Sequence, residues 1–246
     1  MNFNKSKKII ILFLLCISLF SILLFKNVNL NNNIKVVNTS EDKTKKEVYL
    51  TFDDGPIPVI TDEILDVLKE NNIKATFFVV GKEIEGREEI LKRICKEGHG
   101  IGLHTYTHDL KKIYSNNDNF INEMIETQNK VKEITGYNSN IIRFPGGSAG
   151  RLNENMLESL HNQKFKVYDW NVDLKDGMYP NLSPRKLLEN AKKCRKDCTR
   201  VIILAHTNSN NQNTIIALKP IIDYYKNLGY EFKTISKNTR EYYYKI

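Results

Sequence analysis

Apolar positions along the chain fall into three regimes. Residues 9–25 form an uncharged aliphatic and aromatic run, preceded by Lys5, Lys7 and Lys8 and closed by Lys26. Residues 27–46 are polar, rich in Asn and Lys and poor in aromatics. From Glu47 onward, short β-branched or aromatic runs alternate with longer stretches of helical period. The pattern predicts strands near 48–52, 75–80, 100–104, 140–144, 166–171, 200–205 and 231–235. Helices are expected near 60–71, 83–97, 117–135, 153–162, 183–196 and 213–228. Such alternation implies an α/β fold with parallel strands joined by crossovers, either a closed or nearly closed barrel or an open doubly wound sheet.

Both architectures put chemistry at the carboxyl ends of the strands. The polar residues follow that rule. Asp53 and Asp54 come after the first predicted strand, His104 and His108 at and just past the third, and Arg143 at the end of the fourth. Asp173 and Asp176 follow the fifth and His206 the sixth, so every candidate converges on one rim.

The run at 9–25 is at the lower limit for a membrane span and long for the apolar part of a cleaved signal. No small-x-small cleavage pattern follows Lys26. Residues 1–26 are therefore read as an uncleaved signal anchor, a single transmembrane helix with its basic end inside. Residues 27–46 are then a flexible linker and 47–246 an extracellular domain at the cell membrane, secreted if the anchor is clipped. The formal charge of +8 belongs partly to the amino-terminal flank. The remainder lies in mixed stretches such as "LKRICKEG", with no basic strip interleaved with aromatics, which argues against a nucleic-acid partner. Outside the apolar run the cysteines are Cys95, Cys194 and Cys198, too few for a disulfide scaffold. Cys194 and Cys198, one helical turn apart, fit either a bridge or two thiols.

Two segments carry the candidate chemistry. "VYLTFDDGPIP" sets two like charges side by side, which weakens a fold unless a cation or a task offsets them. "DDGP" is also, by itself, a good turn sequence. "HTYTH", His104 to His108, has a spacing that lets both rings meet one ion, although Thr105 stands where a metalloprotease needs glutamate. Two imidazoles and one carboxylate make a three-ligand site with an open position, the arrangement of a catalytic divalent metal, most often zinc. The neighbouring carboxylate is then free to accept a proton.

Together "TFDDGP", "HTYTH", "RFPGGS", "DLKDG" and "LAH", in this order over residues 47–240, resemble the successive motifs of the NodB-type polysaccharide deacetylases, carbohydrate esterase family 4. The resemblance implies a distorted (β/α)7 barrel. It makes Asp53 the general base, Asp54, His104 and His108 the metal ligands, and Arg143 the partner that keeps Asp53 ionised and aimed. His206 becomes the general acid and Asp176 its orienting carboxylate, with Asp173 the alternative. Gly146, beside Pro145, takes the position whose backbone N–H stabilises an oxyanion, where the family usually has an aromatic residue. Gly177 stands where the family motif has tryptophan, so Trp170 is expected to supply apolar wall. Leu204 belongs to the pocket for the acetyl methyl. The implied activity is metal-dependent N-deacetylation of an amino-sugar polymer, foremost peptidoglycan N-acetylglucosamine, by a monomer using zinc, with cobalt also suited to the ligands. The alternatives are an O-acetyl esterase acting on xylan or a wall polymer, and a non-catalytic wall-binding module.

Overall fold

The computed structural model describes residues 45–194 and 198–246. The proposed anchor at 1–26 and nearly all of the linker lie outside them. No helix among the described residues is long and apolar enough to cross a membrane.

All ladders in the sheet are parallel, in the order β5-β4-β3-β2-β1-β7-β6, with β8 paired to the start of β1. The strands are β1 (Glu47–Asp53), β2 (Thr76–Val79), β3 (Gly100–Leu103), β4 (Ile141–Ile142), β5 (Lys166–Val167), β6 (Val172–Asp173), β7 (Arg200–His206) and β8 (Glu231–Phe232). The helices are α1 (Ile60–Glu70), α2 (Gly81–Ile84), α3 (Glu88–Lys96), α4 (Leu110–Ile113), α5 (Asn117–Thr135), α6 (Glu154–Asn162), α7 (Pro184–Ala191) and α8 (Gln212–Asn227).

The sheet curls into a half-barrel whose end strands, β5 and β6, do not pair with each other. The expected strand at 166–171 is split here. Asn171 turns its amide to Arg200 O at 2.8 Å and accepts Ile202 N–H at 2.8 Å, which breaks the ladder. A parallel bridge between Tyr168 and Tyr242 covers the open side. The expected helix at 83–97 is likewise two helices, interrupted at Gly86 with φ 73°. By contrast α5 spans the predicted range, because Asn116 caps its first turn at 2.8 Å and Gly136 ends it at φ 72°. The Cys198 thiol donates to Arg200 O at 2.9 Å.

The period of two along the strands decides which residues reach the site. Val48, Leu50 and Phe52 of β1, with Val201, Ile203 and Ala205 of β7, pack toward the helices. Tyr49 and Ile202 face the concave side with Phe78, Ile141 and Tyr168. Thr51, Asp53, Leu204 and His206 continue that inner alternation, and the register pairs Thr51 with Leu204 and Asp53 with His206. Base candidate and acid candidate are thus neighbours across one ladder.

Candidate active site

Asp53, the last residue of β1, is buried. Arg143, fully buried, donates to Asp53 Oδ1 at 2.8 Å and to Thr51 Oγ1 at 2.7 Å. Its Nε donates to Tyr168 O at 2.8 Å, and the guanidinium lies 4.1 Å from the Phe78 ring centre. The arginine is therefore fixed from several sides and aims the carboxylate. It does not, however, hold Asp53 below the usual carboxylate range: burial raises the pKa by more than Arg143 lowers it. A carboxylate poised upward is the better proton acceptor.

Asp54 turns the other way, with φ 74°, a left-handed backbone uncommon outside glycine. Its Oδ2 accepts from Asn208 Nδ2 at 3.2 Å. Its Oδ1 lies 3.5 Å from His104 Nε2 and 3.4 Å from His108 Nε2. The ligand atoms of these three residues all fall within 4.8 Å of one another. His104 Nδ1 is 3.0 Å from Arg143 O, which can only accept, so Nδ1 carries the proton and Nε2 faces the cluster as a lone pair. Burial pushes the His104 pKa down to about 3, which keeps the ring neutral. A neutral imidazole nitrogen, a second imidazole and a carboxylate oxygen, all converging, fit a divalent cation of the zinc type.

The loop between the two histidines is clamped from below by Glu123 of α5, a residue that motif reading missed. Its carboxylate accepts from Tyr106 N at 3.0 Å, Thr107 N at 2.7 Å, Thr107 Oγ1 at 2.8 Å and Lys112 Nζ at 2.8 Å. These bonds hold a segment in which both Thr105 (φ 67°) and His108 (φ 55°) are left-handed. Burial alone would raise the Glu123 pKa, but Lys112 and the Thr107 donors outweigh it and hold it below the ordinary 4.5. The clamp's contribution to stability is thus present above pH 4.5 and is lost as pH falls through the depressed value. The signal was a glutamate on the apolar stripe of α5, between Phe120 and Thr127, a position usually filled by an aliphatic side chain. Glu123→Gln is expected to weaken divalent-cation binding at Asp54, His104 and His108 about tenfold, measured by calorimetry, because an amide NH2 would confront the donors of Tyr106 and Thr107.

His206 ends β7, and its Nδ1 is 2.8 Å from Asp176 Oδ1. Asp176, fully buried, also accepts His206 N–H at 3.0 Å and Thr214 Oγ1 at 2.9 Å. Asp176, not Asp173, makes the contact; Asp173 sits at the rim, 2.8 Å from Lys175 Nζ. Burial works against charge on His206, yet the Asp176 hydrogen bond and charge, with Asp53 and Asp54 beyond, raise its pKa to about 9. At neutral pH the ring is an imidazolium.

A cleft of about 310 Å³ joins these groups, walled by Gly146, Trp170, Met178 and Leu204. Pro145 is buried behind it, its carbonyl accepting from Tyr114 OH at 2.8 Å. Gly177 also lines the cleft, and the structure accounts for the missing tryptophan: a Cβ at Gly177 would lie 2.5 Å from His206 Cε1 and 2.6 Å from Nε2. The backbone itself is the wall. Gly177→Ala is expected to displace the ring at a cost of about 1–3 kcal/mol and to lower kcat at least about tenfold, read by steady-state kinetics beside a melting curve.

A family model described as polysaccharide deacetylase matches residues 40–168. A putative polysaccharide deacetylase of Bacillus subtilis, YheN, is 34% identical over 203 residues, covering 81% of this chain and 70% of the relative. A peptidoglycan-N-acetylglucosamine deacetylase of Bacillus cereus is 38% identical over 196 residues, covering 78% of this chain and 67% of the relative. The crystal structure of a polysaccharide deacetylase from Bacillus cereus superposes with a TM-score of 0.73 at 33% identity, covering 80% of this chain and 95% of that one.

Proposed function

The chain belongs to the polysaccharide deacetylase family, and from that premise we propose that it hydrolyses N-acetyl groups from peptidoglycan N-acetylglucosamine with the help of a divalent cation, zinc by its donor set. One observation carries this reading. Asp53 tied to Arg143 and His206 tied to Asp176 share a single cleft with the Asp54–His104–His108 cluster, giving a base and an acid of opposite charge beside the three residues that would hold the cation.

Asp54, His104 and His108 would hold the cation, which when bound supplies Lewis acidity toward an acyl carbonyl. Asp53 takes a proton from the attacking water while Arg143 keeps its Oδ1 engaged and Oδ2 directed inward. The N–H of Gly146 donates to the developing oxyanion, and the glycine lets the backbone come close to substrate. An amine leaves poorly until protonated, and His206, positively charged and oriented by Asp176, delivers that proton. Leu204 lies beside the acetyl methyl, and Trp170 forms apolar wall for the sugar. A neutral amide substrate thereby meets a proton acceptor, Asp53, and a proton donor, His206, side by side across one ladder.

Anchoring by residues 9–25, with the catalytic domain outside the membrane, belongs to the same reading. The basic flank and the uncharged run support it, and an immobile wall polymer beside the membrane suits a tethered enzyme.

The test is acetate release by the full-length chain from N-acetylglucosamine oligomers and from peptidoglycan, before and after chelation and zinc restoration. Acetate from these substrates, lost on chelation, is expected. No acetate from either would sink the proposal.

A further inference from the structure

The turn that carries Gly146 is held by a carboxylate outside the motif set. Asp169, just beyond β5, is fully buried, and its carboxylate accepts from three neutral donors: Ser148 N at 3.0 Å, the Ser148 hydroxyl, and Tyr244 N at 2.9 Å. Its own N–H donates to Tyr242 O at 2.6 Å, and Tyr242 N donates to Val167 O at 3.2 Å. Tyr242 therefore bridges in parallel to Tyr168, and Tyr244 lies against the Asp169 carboxylate. Tyr244 returns its hydroxyl to Trp170 O at 3.1 Å and sets its ring edge-on to Trp170, 5.8 Å between centres.

The turn needs such support. Gly146 (φ 74°) and Gly147 (φ 84°) are consecutive left-handed glycines, which local preference alone determines poorly. Gly147 has space for nothing more: a Cβ would come within 3.1 Å of Trp170 and 3.2 Å of Tyr244. Turn, tryptophan and tyrosine are thus one packed unit with the Asp169 carboxylate at its centre, and both Gly146 and Trp170 line the cleft.

We propose that Asp169, Ser148 and Tyr244 are positioning residues for the reaction, latching the Gly146–Gly147 turn and Trp170 in their working arrangement. The segment 242–244 is then part of the active-site support rather than surface packing. The inference rests on the deacetylase reading, since the Gly146 N–H matters where an oxyanion develops beside it. A latch of this kind acts on the transition state more than on substrate binding, so its loss falls on kcat.

The chain contains a single tryptophan, Trp170, so its fluorescence reports the latch directly. In the full chain, Ser148→Ala is expected to leave circular dichroism and zinc content unchanged, to lower kcat on N-acetylglucosamine oligomers about five- to tenfold with KM within about twofold, and to raise acrylamide quenching of Trp170. Ser148→Thr, which keeps the hydroxyl, restores kcat; Asp169→Asn gives a larger kcat loss in the same direction. Tyr244→Phe removes only the bond to Trp170 O and shifts the fluorescence. Should Asp169→Asn fail to fold, Ser148→Ala and Tyr244→Phe still decide. Wild-type kcat and wild-type quenching in both of those variants overturn the latch. A wild-type chain that releases no acetate overturns the deacetylase reading instead, and the quenching comparison then tests the latch on its own.

Discussion

Asp53→Asn is expected to lower kcat for acetate release about a thousandfold, the scale of a lost general base, while zinc stays bound. Asparagine matches the carboxylate in shape but cannot take a proton. The residues proposed to hold the cation, Asp54, His104 and His108, are untouched, so metal stoichiometry by elemental analysis should equal that of the wild type. Stability falls as well. Arg143 is fully buried and would lose its ion pair with Asp53 Oδ1 at 2.8 Å, a change that costs about 3–5 kcal/mol when an ion is left uncompensated. The bonds from Arg143 to Thr51 and Tyr168 O remain and moderate that loss. Activity close to wild type with zinc bound would remove Asp53 from the mechanism. A wild type that binds wall polymer without releasing acetate would point to a binding module instead.

His206→Ala is expected to cut N-deacetylation about a hundredfold or more, and to cost far less on an O-acetyl ester, whose leaving group needs less acid assistance. A His206→Ala variant that keeps most of its deacetylating activity would favour the esterase alternative. The pH profile gives an independent check. With its pKa raised to about 9, His206 remains protonated across neutral pH, so the alkaline limb of kcat should fall near 9. Asp176→Asn removes the partner that opposes burial, and that limb moves to lower pH. The sign for stability follows from the same pair. Folded-state protonation above the ordinary 6.5 stabilises the fold fully below that pH, and the contribution disappears as pH rises through about 9. Melting temperatures across pH 6–10 should therefore decline on the alkaline side in the wild type and flatten in Asp176→Asn.

Particular elements show where reading the chain succeeded and where it stopped. Helix α5 was legible to the residue because its start and stop are written in neighbouring positions, Asn116 and Gly136. The helix expected at 83–97 was not, since a single left-handed residue at Gly86 interrupts an otherwise continuous apolar period. The strand at 166–171 looked continuous and is broken by Asn171, whose partners Arg200 and Ile202 lie far along the chain. Glu123 and Asp169 were invisible as functional residues for the same reason. A carboxylate in a helix or at a strand end reads as solvated until the loops it clamps are folded over it.

By itself the sequence determined which residues could do chemistry and that they gather at one rim, because strand period, turn chemistry and the spacing of His104 and His108 are properties of short segments. The tertiary structure alone decided that Asp176 rather than Asp173 reaches His206, that burial outweighs Arg143 in setting the proton affinity of Asp53, and that the ring of His206 occupies the space a side chain at Gly177 would need. These depend on desolvation and on contacts between segments separated by tens of residues or more, quantities that exist only once the chain has closed on itself.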